Sequence, residues 1–279
     1  MTDRHTILVT GATGTTGSRV AARLTALGHT VKAATRHAGT ADDPRAVHFD
    51  WDDPGTFEGA LRDVDRIYLV PPVGSTEPAG VMLPFLRQAR GAGVRRVVLL
   101  SASSTPPGGP GAGQVHTALP DLFEEWAVLR PSWFMQNMTG SRPHAQSIRD
   151  QGVIMTATGE GRVGFVDAED IAAVAVHALT DREAPCTDLV LTGPEALTYG
   201  ELAAVLTELT GRQVSHRPLT YAQMRERLAA YVPEQFATML TDMDVAIAEG
   251  AEDRTTGTVE RVTGQPPGGF REFVRREMG

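Results

Sequence analysis

Ile7-Leu8-Val9-Thr10-Gly11-Ala12-Thr13-Gly14-Thr15-Thr16-Gly17 begins as an apolar run and breaks into three glycines spaced three apart. Downstream, Val20, Leu24 and Leu27 recur at helical spacing, and Gly28 stops the pattern. The stretch therefore reads as strand, abrupt turn and helix. Such a turn lets backbone amides approach a diphosphate without side-chain obstruction, and the helix start supplies oriented N–H donors. Gly11, Thr13, Gly14, Thr15, Thr16 and Gly17 are the candidate phosphate-binding residues. The plainer alternative is a tight strand-to-helix turn that holds no ligand.

Outward from this loop, strand-like runs alternate with amphipathic helical ones, the pattern of a parallel sheet with crossover helices. Strands are expected at His5 to Thr10, Thr30 to Thr35, Arg45 to Phe49, Arg66 to Val70, Val94 to Leu100, Trp126 to Leu129 and Asp188 to Thr192. The expected fold is α/β, a Rossmann-type doubly wound parallel sheet with a smaller, mainly helical C-terminal lobe. Residues 1–192 form the dinucleotide-binding core in this reading, and 193–279, with part of 132–151, form the lobe that binds substrate. Thr198-Tyr199-Gly200-Glu201 reads as a capping box opening the lobe's first helix. The Gly/Pro-rich run Thr105 to Gly113 reads as a mobile loop without regular structure.

Composition narrows the classes. The 279 residues are 41% hydrophobic and 22% charged, ordinary for a globular chain. The net charge of −8 argues against a nucleic-acid partner held through phosphates. No apolar run approaches the length of a membrane span, and Met1-Thr2-Asp3-Arg4 leads into a strand rather than a signal peptide, so the expectation is a cytoplasmic protein without a membrane partner. A single cysteine, Cys186, excludes an internal disulfide, and no metal site is expected. The chain would act as a monomer or homodimer.

At the end of the second strand, residues 35 to 39 read Thr35-Arg36-His37-Ala38-Gly39. An acid there would pair with the ribose hydroxyls of NAD, and none is present. Arg36 offers a fork suited to a 2′-phosphate, so NADP(H) is the favoured cofactor, while stacking of Arg36 on adenine would also accommodate NAD(H). Asp50 could accept from the adenine amine or simply belong to the acidic entry Asp50-Trp51-Asp52-Asp53. Pro71 and Pro72 give a stiff exit from the fourth strand, either beside the cofactor or as a plain turn. Ser101, after the fifth strand, could hydrogen-bond a substrate carbonyl or the nicotinamide ribose, or fill a turn.

One absence decides chemistry. Of 26 basic residues only Lys32 is lysine, and it sits in the second strand. A Tyr-x-x-x-Lys pair, which would serve as general acid, cannot be built. Interconversion of simple alcohols and ketones is thereby disfavoured. Acceptors that need no strong acid fit: quinones, iminium ions, enones and azo compounds.

Taken with Gln114-Val115-His116, Leu129 to Asn137, Phe165 to Ala172 and Val262 to Pro267, the glycine loop and Thr35-Arg36 resemble the NmrA-like family of atypical short-chain dehydrogenase/reductases. Within it the chain is similar to the quinone/azo reductase and festuclavine/agroclavine dehydrogenase-like branch. The resemblance implies an NADPH-dependent reductase with Ser132, Trp133, Phe134 and Asn137 lining the nicotinamide pocket. It also places His116 in a helix facing the cofactor, as a catalytic candidate beside Ser101, although Pro120 interrupts any helix there. Asp167 and Asp170 read as helix caps, and Arg95-Arg96 and Arg275-Arg276 as solvated charges. The competing readings are a non-catalytic NAD(P) redox sensor and a non-redox lyase or isomerase on the same fold.

Overall fold

The computed structural model describes residues 4–36, 43–75 and 77–278. Seven strands form one sheet: β1 (Thr6–Val9), β2 (Thr30–Thr35), β3 (Ala46–His48), β4 (Arg66–Leu69), β5 (Arg96–Leu100), β6 (Glu125–Pro131) and, later in the chain, β8 (Thr187–Leu191). Each falls on one of the seven expected strands. Their order is β3-β2-β1-β4-β5-β6-β8, and the pairings from β3 through β6 are parallel. The order reverses between β1 and β4, so the carboxyl ends of those two strands flank the switch point where open α/β sheets bind ligands.

Hydrophobic alternation seals the sheet. Leu8, Ile67, Leu69, Val97, Leu99 and Val128 point to one face, under α3 (Ala79–Gly91) and α4 (Gly113–Leu122). On α1 (Gly17–Ala26), Val20, Ala21 and Leu24 are buried, as is nearly every apolar residue of α6 (Ala168–Thr180). Asp53 accepts the Gly55 N–H at 3.0 Å and Pro54 occupies the first position of the 3-10 turn that leads into α2 (Phe57–Leu61).

The described residues cluster into two compact units, Met1–Pro131 with Ala168–Val190, and Ser132–Asp167 with Leu191–Gly279. The second unit holds α5 (Pro143–Gln151), β7 (Val153–Thr156), α7 (Tyr199–Thr210), β9 (Ser215–Pro218), α8 (Tyr221–Ala229), α9 (Glu234–Ala248), α10 (Thr258–Thr263) and α11 (Phe270–Met278). Its core gathers Ile154, Phe165, Tyr199, Leu202, Leu206 and Phe270. The capping box opens α7 as expected: Glu201 N–H donates to Thr198 Oγ1 at 3.0 Å, and Thr198 N–H donates to Glu201 Oε2 at 2.7 Å.

The mainly helical lobe also holds one short parallel pair, β7 with β9 over Val153 to Thr156. Two expectations are corrected. Pro120 does not end α4: it lies in the final turn, where the one hydrogen bond it forgoes leaves the helix intact to Leu122. No helix or strand forms over Thr105 to Ala112, as expected; the run passes through turns, with Gly108 N–H donating to Gly113 O at 2.8 Å and Gly109 N–H to Pro106 O at 3.0 Å. Arg96 is no solvated charge but 1% exposed. Its Nε donates to Glu125 at 2.6 Å, and its other nitrogens donate to the carbonyls of Ala178, Leu179, Asp181 and Arg182. A helix end carries unsatisfied carbonyls and partial negative charge, so the guanidinium closes the C-terminus of α6.

Candidate functional site

The glycine loop is shaped by three different constraints. Gly11 has φ +61°, and a Cβ there would meet Val70 Cβ at 3.2 Å. Gly14 donates its N–H to Gly11 O at 2.8 Å, which closes the turn. A Cβ on Gly17 would lie 2.2 Å from Gly11 O, so only glycine lets α1 start against the strand exit. Thr10 Oγ1 accepts the Val70 N–H at 2.6 Å and donates to Tyr68 O at 3.2 Å, tying the ends of β1 and β4 together. Thr16 makes no side-chain cap and no acidic residue lies in the first turn of α1, so the positive end of the helix is left for an anion. Beneath the loop the Tyr68 hydroxyl is wholly buried. Burial raises its pKa; Thr16 partly offsets this, yet no hydrogen bond of good geometry joins the two.

A cavity of about 340 Å³ opens beside this loop. It brings together Gly11, Thr13, Gly14, Arg36, Asp50, Pro71 and Pro72, joined by Thr35, Trp51, Val70 and Val73. Two wider, more open hollows of about 580 and 470 Å³ against α2 are reached by no phosphate-binding loop. Arg36 is exposed and has no ion-pair partner among the described residues. His37, Ala38 and Gly39 lie outside the described residues. One Asp50 oxygen accepts the Asp52 N–H at 3.1 Å, so this carboxylate shapes the acidic turn and also borders the cavity. Thr15, Thr16 and Gly17 sit on the helix side of the loop and do not line the cavity.

Two catalytic candidates lie elsewhere in the first unit. The Ser101 N–H continues the β5–β6 ladder by donating to Leu129 O at 2.7 Å, and its hydroxyl is buried without a partner. His116, one turn into α4, is 6% exposed with Nδ1 unpartnered. Burial lowers its pKa, Asp188 opposes this and Arg130 adds to it.

In the second unit, Ser132 to Asn137 runs into a 3-10 turn over Met135–Met138. The Ser132 hydroxyl is buried and unpartnered. Trp133 packs against that unit's core, Phe134 bridges Val166, and Asn137 stays half-buried. Sequence reasoning missed what holds the turn. Gln136 Nε2 donates to Asp167 Oδ1 at 2.8 Å, and Arg276 donates to Asp167 Oδ2 at 2.7 Å. Asp167 is thus a buried anchor, and Arg276 is its ion-pair partner rather than a solvated charge. Contacts across 31 and 109 residues left no local signal to read. Among the described residues no group of three or more His, Cys, Asp or Glu could hold a metal ion, and no helix is long and apolar enough to cross a membrane.

A phosphate loop at the switch point of a doubly wound sheet defines a dinucleotide-binding protein. Residues 11–182 match the NAD(P)H-binding family, and the chain belongs to it; it is an NAD(P)H-using oxidoreductase. It is 45% identical over 275 residues to an uncharacterized oxidoreductase, YesF, of Bacillus subtilis, spanning 98% of this chain and 96% of that one. Festuclavine synthase II of Penicillium roqueforti is 39% identical over 284 residues, 98% of each chain. Among solved structures, the NADPH-dependent quinone oxidoreductase of Escherichia coli superposes with a TM-score of 0.81 at 24% identity, covering 98% of this chain and 99% of that one. The resemblance to the clavine dehydrogenase-like branch is borne out by these relatives.

Proposed function

We propose that the protein transfers hydride from NADPH to a conjugated or cationic small molecule of the quinone, iminium, enone or azo type. The observation that carries this reading is the cavity where the glycine loop, the exposed Arg36 and Asp50 converge, in a chain that lacks a Tyr/Lys acid. Loop amides and the start of α1 hold the diphosphate, Arg36 the 2′-phosphate, and Asp50 the adenine amine. Ser132, Trp133, Phe134 and Asn137 border the nicotinamide, which supplies the hydride when bound. Residues 193–279, with part of 132–151, supply the acceptor's binding lobe.

The placements of Lys32, Tyr68 and Tyr221 support the absence of a proton relay. Lys32 donates to the carbonyls of Ala60 and Arg62. Tyr68 is buried under the loop, and the Tyr221 hydroxyl donates to Asp242 at 2.9 Å. Rate enhancement then comes chiefly from holding donor and acceptor in register. His116 and Ser101 are the remaining candidates to touch the reactants. The names of similar proteins, an NADPH-dependent quinone oxidoreductase and an NAD(P)H azoreductase, carry two of these acceptor types. The net charge of −8 favours a small-molecule substrate over a nucleic-acid partner.

The test is oxidation of NADPH and NADH against a quinone, a cyclic iminium, an enone and an azo dye, with Arg36→Ala alongside. Turnover with one acceptor and an NADPH preference that falls roughly tenfold or more in the variant is expected. No turnover with any acceptor, despite nucleotide binding, would put the non-catalytic sensor ahead. An unchanged preference would remove Arg36 from the site.

A further inference from the structure

Two side chains beside the phosphate loop, both in the first unit, break local rules. Ile67 and Leu69 of β4 belong to the core under α3 and α4, so Tyr68 between them points to the opposite face of the sheet, toward α1 and α6. Tyr68 is 0% exposed, and its hydroxyl has no hydrogen-bond partner among the described residues. A buried donor left in this way costs stability, which makes it an exception among native polar groups. The sheet does not require the oxygen: Tyr68 sits between Val9 of β1 and Val98 of β5, and a phenylalanine would fill the same place.

Thr16 is the second exception. It occupies the N-cap of α1, where a threonine hydroxyl ordinarily accepts an N–H from the first turn of the helix. Here it caps nothing, and the residue is only 4% exposed, so its side chain is turned into the protein. Burial raises the Tyr68 pKa and the Thr16 side chain opposes the rise, which puts the two hydroxyls side by side, short of a hydrogen bond of good geometry. Each anomaly accounts for the other. A capping hydroxyl and a bound anion compete for the same end of a helix, so a loop that binds diphosphate gains when the hydroxyl is kept elsewhere.

We propose that Tyr68 is a positioning residue for dinucleotide binding: its phenol gives the Thr16 hydroxyl a polar neighbour inside the core and so keeps it from capping α1, whose start is left to the diphosphate. This rests on the reading that the glycine loop holds the diphosphate. The buried phenol is then a stability cost retained for binding. Without it, the Thr16 hydroxyl turns outward onto the helix start and must be displaced by each incoming nucleotide.

The test is calorimetric titration with NADPH and NADH of the wild type, Tyr68→Phe, Thr16→Val and the double variant, each also melted without nucleotide. Tyr68→Phe should bind the preferred nucleotide about fivefold more weakly, the worth of one capping hydrogen bond, while melting at or above the wild type. Thr16→Val keeps the shape of the side chain and has no hydroxyl to cap with. In that background Tyr68→Phe should change the affinity less than twofold. A loss that persists undiminished in the double variant means that Tyr68 acts through packing and overturns the proposal, as does a Tyr68→Phe protein that melts below the wild type. Wild-type affinity in folded Tyr68→Phe overturns the positioning role and leaves the loop reading standing. A wild type that binds neither nucleotide overturns both.

Discussion

Replacing Gly17 by Ala isolates the packing on which the phosphate loop depends. The new methyl would lie 2.2 Å from Gly11 O, 2.7 Å from Gly11 C and 3.1 Å from Ala12 Cα, all backbone atoms. Ordinary carbon contacts begin near roughly 3.5 Å, so the start of α1 must retreat by about 1 Å. Overpacking of this kind costs about 1–3 kcal/mol, which lowers a melting midpoint by roughly 2–12 °C in a chain of this size. The same retreat draws the helix amides away from the diphosphate. A tenfold weaker NADPH complex would remove about 1.4 kcal/mol of ligand stabilisation at saturation. Gly14→Ala is the control: its methyl meets only Gly11 O, at 3.2 Å, so the fold absorbs it while the methyl crowds the cavity. Thermal melts of both variants with and without NADPH separate the effects. Gly17→Ala should melt low in the absence of nucleotide, and Gly14→Ala should melt near wild type but gain less from NADPH. A Gly17→Ala protein that melts with the wild type, or a Gly14→Ala protein less stable than it, would refute the reasoning.

Arg96→Met should cost about 3–5 kcal/mol in urea unfolding, since it strands the carbonyls at the end of α6 and the Glu125 carboxylate. Arg276→Ala should cost roughly 1–3 kcal/mol, less because that arginine is half exposed, and should lower turnover by loosening the turn that carries Asn137. Asp244 has a folded pKa of about 6, above its ordinary 3.8, so its contribution is intact at low pH and is lost as pH rises through 6. Asp244→Asn should therefore gain on the order of 2 kcal/mol over wild type at pH 8 and little at pH 4, by parallel denaturant titrations. His144 runs the other way: with a folded pKa of about 4 against 6.5, its contribution is intact above pH 6.5 and is lost as pH falls toward 4. His144→Gln should flatten that acid limb.

What was legible in the sequence was whatever repeats locally. β2 was read to the residue, because the short run Thr30 to Thr35 is bounded by the Gly28 helix stop on one side and Arg36 on the other. Gly14 and Gly17 announced the loop because each answers a constraint set by the Gly11 backbone within six residues of chain. The strands β7 and β9 escaped because four residues, Val153 to Thr156 and the polar Ser215 to Pro218, are too short to show a period. Arg96 escaped because an arginine aimed inward and one aimed at water look alike until the carbonyls it meets are known. The same holds for Gln136, Asp167 and Asp244, whose partners come from distant segments.

Arg96 also sets a clock on synthesis. Its carbonyl partners lie 82 to 86 residues downstream. At ribosomal speeds of about 5–20 residues per second, the guanidinium waits roughly 4–17 s for the groups that will bury it. During that interval β6 has no β8 beside it, and α6 has yet to cover the sheet. The nascent chain thus carries an open strand edge and a charge held at the rim of an unfinished core, a state suited to chaperone capture and open to aggregation if translation stalls before residue 182.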